Sequence, residues 1–154
     1  MAPAFDYDRR FEFAVSPKTF WTTVSRTDLY PTWWTWLREF QSDGLRDGAH
    51  TECVIQAPLP YALRVGIDVE RVVPPERVET RVSGDLEGPA RLEITPTPSG
   101  CAARLVWSLE LRESWLRHIA RVTRPVLTWA HDRVISSGVH QFERVALSGA
   151  APPG

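Results

Sequence analysis

The chain has 154 residues, of which 43% are hydrophobic and 24% charged, with a formal net charge of −1. That length suits one domain that buries roughly 70% of its unfolded surface, and the balanced charge argues against a nucleic-acid partner. No apolar run is long enough to cross a membrane, and the opening MAPAFDYDRR lacks the apolar stretch of a secretion signal, so the expected location is the cytoplasm.

Taken in order, Phe11, Phe13 and Val15 alternate with Arg10, Glu12 and Ala14, the pattern of a half-buried strand. Ser16 can cap a helix opened by Pro17, with Phe20, Trp21 and Val24 on its apolar side. After a connector at Asp28–Tyr30, a second short helix is expected from Pro31 to Leu37, carrying YPTWWTWL. Trp33 and Trp36, three residues apart, then share an inward face, and Trp34 turns away.

From Phe40 to Glu113 the signals are for strands and turns. Phe40–Leu45 and His50–Ala57 flank the turn at Arg46-Asp47-Gly48, and Ala57-Pro58-Leu59-Pro60 breaks the chain. In the second of these strands the phase of Glu52 is ambiguous; we favour Cys53 and Ile55 inward, with Glu52 in water. Tyr61, Leu63, Val65, Ile67 and Val69 point one way while Arg64, Asp68 and Glu70 point the other. Val78, Thr80 and Val82, then Ala90, Leu92 and Ile94, then Leu105, Trp107, Leu109 and Leu111 continue the inner face. Seven strands result, with one solvated face and one that needs cover.

Cover comes from the end of the chain. Pro125 is suited to a first helical position, and no other proline occurs before Leu147. A helix of about 23 residues spans roughly 34 Å, so a sheet should grip it along its length. Leu127, His131, Val134, Gly138, Phe142 and Val145 form one stripe, opposite Arg133, Ser136, His140 and Arg144. Before it, Trp115–Arg124 reads as a short basic amphipathic segment, either a lid or a peripheral contact with anionic lipid, without stable membrane insertion. Met1–Ala4 and Ser148–Gly154 are expected tails around an ordered core of about residues 5–147.

The order of one strand, two short helices, a six-stranded meander and a long last helix, with SPKTFW, YPTWW and WLRHIARVTRPVLTWAHDRV, resembles the polyketide cyclase/dehydrase branch of the START-like (SRPBCC, helix-grip) superfamily. The resemblance covers nearly the whole chain as a single domain, 1–154. It implies an α+β fold, with a curved antiparallel sheet around the last helix and a cavity for a hydrophobic small molecule such as a lipid, isoprenoid, sterol or polyketide. It also implies that Ala57–Pro60 and residues 112–124 flank the cavity mouth. Fold alone does not choose a reaction.

The expected lining is Leu63, Val65, Ile67, Trp107, Leu109, Leu127, His131 and Ile135, with Thr80, Leu92 and the aromatic pair Trp33 and Trp36. The tryptophans are either a wall for a planar ligand or anchors for the short helices. His131 is either an acid, base or hydrogen-bonding group in the cavity or a structurally satisfied histidine. His131 and His140, nine residues apart, fall on opposite helix faces, so no metal site is expected and no cofactor is implied. Cys53 and Cys101 lack metal or redox spacing and read as reduced thiols. Nor is there a GxSxG or phosphate-binding loop. The reading is a carrier or sensor of a hydrophobic small molecule. The alternatives are a cyclase or dehydratase using His131 as acid or base, and a protein-partner module with a vestigial pocket. The sequence sets no oligomeric state.

Overall fold

In the computed structural model, which describes residues 4–34, 36–56, 62–112 and 124–147 (Ala4 and residues 124–131 by backbone alone), seven strands form one antiparallel sheet. They are β1 (Ala4–Phe13), β2 (Leu37–Ser42), β3 (His50–Gln56), β4 (Ala62–Val73), β5 (Arg77–Gly84), β6 (Leu86–Thr97) and β7 (Gly100–Leu111), in the spatial order β1-β7-β6-β5-β4-β3-β2. The helices are α1 (Pro17–Val24), a 3₁₀ turn at Thr27–Leu29, α2 (Tyr30–Trp33) and α3 (Arg124–Gln141), which runs on into a π-helical end at Phe142–Leu147. The Ser16 hydroxyl accepts from the Thr19 N–H at 3.1 Å with Pro17 in the first turn, so α1 starts as its sequence dictates.

Side chains alternate between the two faces as period-2 strands require. On the inner face Phe5, Tyr7, Arg9, Phe11 and Phe13 of β1 lie opposite Leu109, Trp107, Leu105, Ala103 and Cys101 of β7. A bulge in β4 between Val69 and Arg71 adds one residue, after which Val72 rather than Arg71 shares a face with Val78. Cys53 is buried and Glu52 exposed, and both cysteines are free thiols. The outer face is solvated and carries ion pairs such as Arg104–Asp8 at 2.6 Å and Arg91–Glu93 at 2.9 Å.

Two hydrophobic clusters occupy opposite ends of the inner face. One joins Phe13, Ile94, Cys101 and Ala103 of the sheet to Phe20, Trp33, Phe142, Ala146 and Leu147 of the helices. The other consists of strand residues, Cys53, Val65, Val82, Leu86, Leu109 and Leu111, bordered by Leu63, Ile67, Ala90 and Trp107. Among the described residues, the side chains that pack the last helix onto the sheet therefore gather at its C-terminal end, and no helical side chain joins the second cluster.

Several sequence expectations need correction. β1 begins at Ala4, well before Arg10, because FDYDRRFEF keeps one alternating phase against β7. α2 ends at Trp33 and Leu37 already pairs with Ile55 of β3, so helical spacing does not relate Trp33 to Trp36. Trp34 does not turn away: its ring lies 6.1 Å from that of Phe142, stacked at 25°. Val145 is 52% exposed, while Ala146 and Leu147 are buried. The i→i+5 turns of the π-helical end move the buried stripe on by about one residue after Phe142. The loop at Ala57–Pro60, with Tyr61, and most of the segment Trp115–Arg124 lie outside the described residues.

Candidate ligand-binding site

The candidate site is the inner face of β4 to β7 and β1. Register brings its centre together: Thr80 is opposite Ala90, Ala90 is opposite Trp107, and Trp107 is opposite Tyr7. Tyr7 and Trp107 touch, with ring centroids 4.5 Å apart. Among the expected lining residues, Val65 and Leu109 are buried in the strand-built cluster, while Leu63, Ile67, Leu92 and Trp107 stay half-buried on the same face. Thr80 contributes its methyl side to this surface, since its hydroxyl donates to the Ala90 carbonyl at 2.8 Å. Ile135 is half-buried on α3. Leu127 and His131 lie on the α3 backbone, and their side chains fall outside the described residues.

Trp33 at the end of α2, with Trp34 and Trp36 after it, packs against the last helix. Trp33 is buried among Tyr30, Trp34 and Phe142, with centroids 5.4–5.8 Å away. The Trp34 and Trp36 indole N–H groups donate to the Gly138 carbonyl at 2.7 Å and to Gln141 Oε1 at 3.0 Å. Gly138 is small enough to let these rings in, because a Cβ there would lie 3.3 Å from the Trp36 ring. They clamp α3 where it meets the sheet.

Sequence reasoning missed the polar end of the face. Tyr7 is buried with Arg9 beside it on β1, and the charge of Asp132 on α3 acts on it. Burial pushes the Tyr7 phenol above its ordinary value, the Arg9 charge pulls it back, and the Asp132 charge adds to the rise. The signal was present in the phase of FDYDRRFEF, where Arg9 interrupts an otherwise aromatic inner row. Burial alone raises the Cys53 thiol to about 11, so it behaves as a small apolar side chain, not a nucleophile.

A depression of about 470 Å³ is lined by the charged and polar residues Asp6, Asp8, Glu70, Glu79, Arg91 and Ser108, by Pro89 and Val106, and by Tyr7, Thr80, Ala90 and Trp107. Its groups are engaged with their neighbours, as Asp8 is with Arg104 and Asp6 with Ser108. Among the described residues no three His, Cys, Asp or Glu side chains gather as a metal site, and no helix is long and apolar enough to cross a membrane.

No family model and no curated protein matches the sequence. Solved structures match its shape. The di-domain ARO/CYC StfQ from the steffimycin biosynthetic pathway superposes with a TM-score of 0.74 at 12% identity, over 97% of this chain and 53% of that one. A point mutant of Thalictrum flavum norcoclaurine synthase, in complex with a transition-state analogue, gives 0.65 at 10% identity over 98% and 99% of the two chains. Ara h 8.0201 gives 0.67 at 10% identity over 95% and 99%.

The chain has the helix-grip fold. In helix-grip terms α3 is the gripped helix, bonded to Trp34 and Trp36 at its C-terminal end.

Proposed function

We propose that this helix-grip protein binds a hydrophobic small molecule, of the lipid, isoprenoid, sterol or polyketide class, between the sheet and α3, and that it acts as a carrier or sensor. One observation carries the reading: a continuous apolar surface built from the strands alone, Cys53, Val65, Val82, Leu86, Leu109 and Leu111 with Leu63, Ile67 and Trp107 at its border, lines the inner face of the sheet. A lipophile that buries apolar surface of this kind gains about 25 cal/mol per Å². The clamp at the C-terminal end of α3 supports the reading, since it holds the helix in place without drawing on the strand-built surface.

A second reading, a cyclase or dehydratase acting on a polyketide-like substrate, draws on the buried Tyr7 beside Arg9 and Asp132 and on the ARO/CYC protein among the structural neighbours. Native mass spectrometry of the protein as purified tests the first reading. A retained apolar species, released on denaturation, is the expected result. Absence of any adduct, together with unchanged Trp emission when long-chain lipophiles are titrated in, counts against it. Conversion of a bound polyketide to a dehydrated product, seen as a loss of water in its mass, would move the assignment to the second reading.

A further inference from the structure

Resting on the reading that a lipophile occupies the concave face, we propose that its ligand carries a carboxylate and that Arg9, with the Tyr7 hydroxyl beside it, is the group that receives it. Arg9 stands opposite Leu105 in a row otherwise made of Phe5, Tyr7, Phe11 and Phe13. It is itself exposed, midway along that row on the edge strand of the sheet, while Tyr7 two residues before it is buried. A guanidinium flanked by aromatic side chains is less fully hydrated than one in open solvent, and it gains from a planar anion that matches its fork.

On the outer face some arginines are paired and others, such as Arg81, form no ion pair with a described carboxylate. There Arg10, Arg77, Arg91 and Arg104 each sit within 4 Å of a carboxylate, on Glu12, Glu79, Glu93 and Asp8. No carboxylate among the described residues forms an ion pair with Arg9. Arg9 is hydrogen-bonded to the Tyr7 side chain, and the charge of Asp132 on α3 acts on the same phenol, so a ligand carboxylate received here would meet the Arg9 guanidinium and the Tyr7 hydroxyl together. The Tyr7 ring also rests on Trp107 at the centre of the apolar face, which joins the polar pole directly to the surface that would hold the ligand's apolar body. An amphiphile entering with its tail over Ala90, Ile67 and Trp107 brings its head to Arg9.

A matched pair of probes isolates the head group. Dodecanoate and dodecanol are titrated by calorimetry into the wild-type chain, Arg9→Gln and Arg10→Gln. A charge-assisted contact of this kind should favour the acid over the alcohol by about 10- to 100-fold in the wild type and in Arg10→Gln, which loses the same charge from the outer face. In Arg9→Gln the preference should vanish while the alcohol binds as before. Comparing acid with alcohol inside each variant removes any general effect of the substitution on folding. Equal binding of acid and alcohol in the wild type, or a preference that survives Arg9→Gln, overturns the proposal and leaves the lipophile site standing. If neither probe binds the wild type, the lipophile reading fails and this proposal with it.

Discussion

The indole N–H of Trp34 donates to the backbone carbonyl of Gly138 at 2.7 Å, joining residues 104 positions apart. With Trp36 bonded to Gln141 one turn further on, this contact fixes where α3 meets the rest of the molecule. The helix is held there by hydrogen bonds and stacked rings.

Trp34→Phe keeps most of the ring packing and removes the donor, leaving a partly buried carbonyl short of a partner. The expected loss is about 1–2 kcal/mol of unfolding free energy, measured by urea denaturation. Protection of α3 amides from hydrogen exchange should fall before that of β6 and β7. An unchanged midpoint together with unchanged exchange would mean that the clamp does not hold the helix.

Ala90 lies at the centre of the concave face, between Thr80 and Trp107. If a ligand uses that space, Ala90→Phe should fill part of it. The apolar probe should then bind at least about tenfold more weakly, which corresponds to roughly 1.4 kcal/mol, with the fold retained by circular dichroism. Overpacking of a closed core instead destabilises by about 1–3 kcal/mol, so a large drop in melting temperature would indicate that the position has no room.

His50 links β3 to β4 on the outer face, with Nδ1 2.6 Å from Asp68 and Nε2 3.3 Å from Glu52. The hydrogen bond to Asp68, followed by that to Glu52, raises its pKa above the ordinary histidine value. Because the folded value is the higher one, the stabilisation is fully present below the unfolded pKa of about 6.5 and is lost as pH rises through the folded value. His50→Gln should therefore cost more stability at pH 6 than at pH 9. Asp68→Asn should lower the His50 titration midpoint followed by NMR, and a midpoint unmoved by that change would remove the ion pair from the account.

Much of the architecture was legible in the sequence because strand alternation is a local property. Leu105, Trp107, Leu109 and Leu111, or Leu63, Val65 and Ile67, specify their face without reference to any partner. Pro17 after Ser16 and Pro125 likewise mark helix starts through fixed backbone geometry. Tertiary structure decided what depends on partners distant in sequence. β1 extends back to Ala4 because β7 offers a full-length edge to pair with, and α2 stops at Trp33 because Leu37 is already drawn into the sheet by Ile55. The π-helical end transfers burial from Val145 to Ala146 and Leu147 through one change in hydrogen-bond spacing that hydrophobic periodicity at 100° per residue does not anticipate. Arg9 and Tyr7 were visible as letters in the first strand, but their meaning came from the register that turns both toward the concave face and from Asp132 arriving on a helix more than a hundred residues later. Local sequence determines which way a side chain points, and long-range pairing determines what it meets.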